Sequence, residues 1–320
     1  MKNKITLLFG LLIALVVSNQ KSVSSENRQI WAFLVAGSSG YYNYRHQADL
    51  CHAYQILHEN GIPDENIIVM MADDIAFNQE NPTPGVIINS PGGPNVYEGV
   101  PKDYTGKDVN PLNFINILSG NKTAMKNIGS GRVIESGPND HVFVNFVDHG
   151  GAGVFCFDEE VLTADVLIDT LKSMASRSQF SKMILYIEAC FSGSMFDDLL
   201  DDDLNIFALT AADPHESSYA CYYDAKRQTY LGDVFSVNWL NDSEHESLPQ
   251  ESIHHQFEKV RTRTNASHVE EYGDLDIGET KLSEIIGFRM RGQNSPPAPP
   301  INDDVHFRFV FCFFLLMNCD

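Results

Sequence analysis

The sequence predicts an α/β fold: a mainly parallel central sheet flanked by helices, forming a single catalytic domain over about residues 28–288. Three observations predict it. Residues 31–35, 67–71, 141–147, 183–187 and 206–210 are short apolar runs rich in β-branched and aromatic side chains, without the polar alternation of a half-exposed strand. Such runs read as strands buried on both faces, the habit of parallel sheets. The segments between them carry helical spacing, and two of the runs end in residues with chemistry to offer.

Taken in order, strand 31–35 leads to a helix over 47–60 and a second strand over 67–71. The proline- and glycine-rich stretch 78–108 is longer than an ordinary connection and is expected to be a surface loop near the functional edge. A helix over 109–118 precedes strand 141–147. Over 163–173, Val166, Leu167 and Leu171, with Met174 just beyond, give a helical spacing that suits a right-handed crossover between neighbouring parallel strands. Strands 183–187 and 206–210 and a helix over 251–262 complete the domain, and no internal repeat is apparent.

The run 141–147 closes on Asp148-His149-Gly150, and the run 182–187 closes on Glu188-Ala189-Cys190. Functional groups of parallel sheets gather at the carboxyl ends of the strands, so a histidine and a cysteine arrive at one edge. A thiolate is the attacking species, and a neighbouring imidazole can take the thiol proton and return it to a leaving amine. Gly150 and the backbone of Cys190 could offer N–H groups to an oxyanion. Taken alone, a buried cysteine is as readily a small core residue as a nucleophile, and a strand-end histidine as readily a satisfied polar group.

Further stretches carry a resemblance. They are Ala36-Gly37-Ser38, Tyr42-Asn43-Tyr44-Arg45-His46-Gln47-Ala48-Asp49, residues 61–67, Asn81-Pro82-Thr83-Pro84-Gly85, residues 99–106, residues 136–141 and residues 216–221. With the His-Gly and Glu-Ala-Cys strand ends, over about residues 30–288, the chain resembles the legumain family of asparaginyl endopeptidases in the caspase-hemoglobinase clan of cysteine peptidases. The resemblance implies a caspase-like fold, Cys190 as nucleophile, His149 as general base and acid, Asn43 orienting the imidazole, and Gly150 with the Cys190 backbone as oxyanion hole. It implies an asparagine pocket lined by Arg45, His46, Glu188, Ser217, Ser218 and Asp233. A primary amide offers both an acceptor and a donor, so a guanidinium facing carboxylates suits it and rejects side chains that strand those charges.

Two departures stand out. Residue 191 is Phe where the family usually carries an acidic residue, which removes a negative charge beside the thiolate. Past residue 288 the helical prodomain of the family is not found. Residues 289–305, with the cluster Pro296-Pro297-Ala298-Pro299-Pro300, read as a linker. Residues 306–320 form an atypical hydrophobic tail, too short to span a bilayer and interrupted by Arg308. It reads as a truncated or alternatively spliced terminus rather than a stable membrane anchor.

Residues 1–24 read as a secretory signal peptide, with a basic start, an apolar stretch over 5–17 and small residues near Ser24. Entry to the secretory pathway makes glycosylation sites of the sequons at Asn121, Asn241 and Asn265, each expected in a polar surface stretch. The spacing of the six cysteines suggests no disulfide framework, with Cys156 expected in an apolar turn. The histidine pairs lack zinc-ligand spacing, so no metal or organic cofactor is expected. A formal net charge of −21 excludes general attraction to nucleic acid and suits an acidic compartment, lysosomal or endosomal, or secretion.

The reading is a cysteine endopeptidase cleaving peptides and proteins after asparagine, and after aspartate at lower pH, with peptide ligation open to the same acyl-enzyme. By resemblance, cystatin-type proteins are its expected inhibitors. The alternative is a catalytically silent or misfolded truncated form acting as a binding or decoy protein. A glycolipid-anchor transamidase is a third reading, opposed by the pocket residues.

Overall fold

The computed structural model describes residues 28–289. The expected signal peptide, the linker beyond its first residue and the hydrophobic tail therefore lie outside the described residues. The strands are β1 (Ile30–Ala36), β2 (Ile67–Met71), β3 (His141–Val147), β4 (Gly150–Gly151), β5 (Val154–Phe157), β6 (Glu160–Thr163), β7 (Lys182–Glu188), β8 (Ile206–Thr210), β9 (Ala220–Asp224), β10 (Thr229–Asp233) and β11 (Glu270–Gly273). The helices are α1 (Tyr44–Glu59), α2 (Pro111–Leu118), α3 (Ala164–Ser176), α4 (Val234–His245) and α5 (Ile253–Arg263).

The main sheet has the order β11-β8-β7-β3-β1-β2. Its β2, β1, β3, β7 and β8 are parallel, and β11 closes one edge antiparallel to β8. Alternate residues of the same strands serve two cores. Leu34, Phe143, Ile184 and Leu209 join one core with side chains of α1, α4 and α5, while Phe33, Val144, Leu185 and Ala208 join the other with side chains of α2 and α3. This two-sided burial is why the strands read as unbroken apolar runs.

The helices follow local rules where they were legible. In α2, Pro111 opens the helix and Asn110 caps it by accepting from the Asn113 N–H at 2.9 Å. In α3, Ala164, Leu167, Ile168, Leu171 and Met174 are buried, the i, i+3, i+4, i+7 stripe of an amphipathic helix. The structure adds α4, which polar residues hide from periodicity. Its Asp242 and Ser243 are buried and accept from Gln256 Nε2 of α5 at 3.1 and 3.0 Å. It also adds the β9–β10 hairpin and the small sheet β4–β5–β6.

Two expectations need correction. Among the described cysteines, Cys51, Cys190 and Cys221 are free thiols, whereas Cys156 lies in β5 and is disulfide-bonded. The Asn241 sequon does not sit in a polar surface stretch: it lies inside α4, half-buried, with Nδ2 buried and without a hydrogen-bond partner among the described residues. The side chains of Asn121 and Asn265 are exposed.

Candidate active site

Strand register brings the two candidate catalytic residues together. Val147 of β3 pairs with Glu188 of β7, and the Asp148 N–H still donates to the Glu188 carbonyl at 3.0 Å. His149 and Cys190 are each two residues beyond that pair, so they leave the carboxyl edge side by side. Backbone contact follows immediately: a Cβ on Gly150 would lie 2.3 Å from the Cys190 carbonyl oxygen, so the position requires glycine. Gly150 also pairs with Phe155 at a position where the ladder bond runs from Cys156 N to the His149 carbonyl, at 3.1 Å. The Gly150 N–H is thereby directed away from β5.

Asn43 occupies the N-cap position of α1, yet its side chain makes no capping bond. Its Nδ2 donates to the Ser39 carbonyl at 2.9 Å, which turns Oδ1 toward His149 Nε2, also at 2.9 Å. An amide oxygen only accepts, so the imidazole proton sits on Nε2 and the Nδ1 lone pair is left for a proton. The sequence expectation started the helix at residue 47. The three extra residues make Asn43 a cap position and place Arg45 and His46 on α1.

Burial, then the Arg45 guanidinium, pushes the His149 pKa down to about 3, so the ring is neutral at rest. Burial raises the Cys190 thiol, opposed by hydrogen bonds from Ser218 and Ser217. The thiol donates to the Ser218 carbonyl at 3.8 Å. The resting pair is thus thiol and neutral imidazole.

Beside this pair lies a buried polar pocket. Arg45 Nε donates to Asp233 Oδ1 at 2.9 Å, with both side chains almost fully buried. His46 stands between Ser38, whose Oγ is 2.6 Å from Nδ1, and Asp233 Oδ2, 3.9 Å from Nε2. Its ring meets that of His149 edge-on, with centroids 4.9 Å apart. Glu188 Oε2 accepts from the Ser236 N–H at 3.0 Å and its hydroxyl at 3.2 Å, while Glu188 Oε1 and Asp233 Oδ2 are buried without a hydrogen-bond partner among the described residues. Burial first, and Asp233 second, raise the Glu188 carboxyl to about 8, so Oε1 can carry a proton and donate.

All ten residues expected in the catalytic and pocket sets are described, and the contacts above tie Asn43 to His149, Gly150 to Cys190, Arg45 and His46 to Asp233, and Ser218 to Cys190. Sequence reasoning missed Asp49 and Asn89. Asp49 Oδ2 accepts from the Asp233 N–H at 3.1 Å and Oδ1 accepts from Asn89 Nδ2 at 2.6 Å, which fixes the pocket from behind. No spacing signals such a contact between residues 184 apart in sequence. Among the described residues, two clusters bring ligand-type atoms within 4.8 Å of one another, His46-Asp148-His149 and Asp213-Glu216-His268. In the first, Ser38 and Asn43 already engage ring nitrogens. Among the described residues, no helix is long and apolar enough to cross a membrane.

The Peptidase C13 family model matches residues 30–288. The chain is 54% identical to legumain of Homo sapiens over 271 residues, covering 85% of this chain and 62% of that protein. It is 48% identical to a vacuolar-processing enzyme of Citrus sinensis, over 82% of this chain and 56% of that protein. It is 46% identical to a hemoglobinase of Schistosoma japonicum, over 90% of this chain and 68% of that protein. The chain therefore spans less than two thirds of the length of the first two. A caspase-1 structure from Spodoptera frugiperda superposes with a TM-score of 0.45 at 11% identity, over 82% of this chain and 91% of that chain.

Proposed function

Because this chain belongs to the peptidase C13 family, we propose that it is a cysteine endopeptidase that cleaves peptide bonds after asparagine. The observation that carries the reading is His149, held through Nε2 by Asn43, beside a Cys190 backbone packed against Gly150. The Cys190 thiol gives its proton to His149 Nδ1 as sulfur attacks the scissile carbonyl. The Gly150 and Cys190 N–H groups receive the oxyanion. His149 then protonates the leaving amine, and water releases the acyl group from the thioester. An incoming amine could take the place of water and yield a ligated peptide.

In the pocket, the Arg45 guanidinium donates to the asparagine side-chain carbonyl, and Asp233 Oδ2 accepts from its NH2. A protonated Glu188 adds a donor, so a neutral amide leaves no buried charge unmatched. An aspartate side chain fits only once protonated, which needs lower pH. Residues 1–24 support secretory entry and the family supports an acidic lysosomal, vacuolar or secreted setting. Exposed Asn121 and Asn265 are the glycan acceptors, and cystatin-type inhibitors are the partners the resemblance suggests. The test is active-site titration with a thiol-reactive probe carrying asparagine. Stoichiometric labelling of Cys190, lost with a glutamine probe, is expected, and equal labelling by both probes contradicts the pocket.

A further inference from the structure

The turn that carries Cys190 has a conformation its own sequence disfavours. Phe191 lies at φ 55°, ψ 20°, the left-handed region that bulky L-residues avoid because Cβ crowds the backbone. Such a residue stays there only when its surroundings impose it. Here they can be named. The Phe191 N–H donates to the Glu216 carbonyl at 2.7 Å, the Gly193 N–H donates to the Ala212 carbonyl at 3.0 Å, and Ser192 Oγ accepts from the Ala212 N–H at 3.1 Å.

The nucleophile turn thus hangs on segment 212–218, the same segment that places Ser217, Ser218 and the carbonyl receiving the Cys190 thiol. What fixes that segment is chiefly the Glu216 side chain. Its carboxylate accepts from the Asp213 N–H at 3.2 Å and from the His268 N–H, and lies 3.1 Å from the His268 ring nitrogen. Ser267, next to His268, donates to the Ala211 carbonyl at 2.6 Å. One residue therefore grips the chain before β11 with its carboxylate and the nucleophile turn with its carbonyl.

We infer that Glu216 is a positioning residue: its carboxylate clamp on residues 213 and 268 holds its own carbonyl against the Phe191 N–H and so maintains the left-handed turn that aims Cys190. The inference rests on Cys190 being the nucleophile. It also accounts for how a phenylalanine is tolerated at position 191. Asparagine adopts the left-handed conformation far more readily, so a chain with asparagine there needs the clamp less.

The experiment compares the wild type with Glu216→Ala, Phe191→Asn and the double variant. Alkylation of Cys190 by iodoacetamide at pH 7 is followed by peptide mapping, to separate it from Cys51 and Cys221, and kcat and KM are measured on an asparaginyl peptide. In Glu216→Ala, alkylation rate and kcat should fall together by about tenfold with KM within about threefold, and adding Phe191→Asn should restore both to within about threefold of Phe191→Asn alone. Wild-type alkylation in a folded Glu216→Ala chain, or the same loss in both backgrounds, overturns the inference. Should Glu216→Ala not fold, His268→Ala loosens the same clamp from the other side. A fall of about two- to threefold in alkylation supports the inference and an unchanged rate overturns it. Failure of Cys190 to react in the wild type is a separate result, which removes the nucleophile assignment itself.

Discussion

Replacing Asn43 by alanine tests the most particular feature of the site, the cap residue that orients a ring instead of capping a helix. The substitution deletes the 2.9 Å bond to His149 Nε2 and the 2.9 Å bond to the Ser39 carbonyl. The first becomes charge-assisted when His149 takes the thiol proton. A hydrogen bond to a charged group contributes roughly 1.5–3 kcal/mol, which corresponds to about a 10- to 150-fold fall in kcat. Because the Asn43 side chain bonds to Ser39 and His149 rather than to the pocket residues, KM should stay within about twofold. The second bond is neutral and partly buried, so stability should drop by about 1 kcal/mol, a Tm shift of a degree or two for a domain of this size. The assay is steady-state kinetics on an asparaginyl peptide, with thermal unfolding of the same samples. A folded Asn43→Ala chain with kcat within twofold of wild type would refute the reasoning, and so would a variant whose loss appears in KM alone.

Other substitutions probe the neighbouring contacts. Gly150→Ala places a Cβ 2.3 Å from the Cys190 carbonyl, so the turn must shift: activity should be lost almost entirely, with overpacking of about 1–3 kcal/mol visible in denaturant unfolding, and a fully active alanine variant contradicts the close approach. Arg45→Ala should cost on the order of 2–4 kcal/mol in kcat/KM, because it removes the amide carbonyl's partner and strands the buried Asp233 carboxylate, and equal cleavage after asparagine, glutamine and lysine contradicts the pocket. Stability should depend on pH with a definite sign. Glu188 is raised from 4.5 to about 8, so the folded state holds its proton more tightly than the unfolded chain, a contribution fully present below 4.5 and lost as pH rises toward 8. His149 is lowered from 6.5 to about 3, which makes stability rise with pH between those values, so the two oppose each other below 6.5 and only the carboxyl effect remains above it. Tm should therefore fall between pH 6.5 and 8, and Glu188→Gln should flatten that fall; a Tm that rises across this window contradicts the assignment.

The strands and their order of use were legible because each parallel strand is buried on both faces and cannot hide among polar residues. The same logic placed His149 and Cys190 at one edge, since a fixed register delivers residues two beyond each paired end. Helix α4 was not legible: its polar Asn238, Asp242 and Ser243 are satisfied only by tertiary partners such as Gln256 and Thr264. The roles expected of Asn43 and of the pocket came from resemblance rather than spacing, because the contacts join α1 to β10 and the β3 end across long separations. Asp49 and Glu216 carry no local signal, since each matters for which distant backbone group its carboxylate accepts from. Asn241 looked like a surface sequon for the complementary reason, that a polar residue on a largely buried helix reads as solvent-exposed.

The central claim, that Cys190 and His149 cleave after a pocket-bound asparagine, is tested most directly by mass spectrometry of products from one peptide containing asparagine, glutamine, aspartate and lysine, incubated at acid pH with the wild type and with Cys190→Ser. The account predicts a product ending in asparagine, a slower one ending in aspartate that gains as pH falls, and neither from Cys190→Ser. Cleavage after glutamine or lysine at a comparable rate, or asparaginyl cleavage that survives in the Cys190→Ser chain, would contradict it.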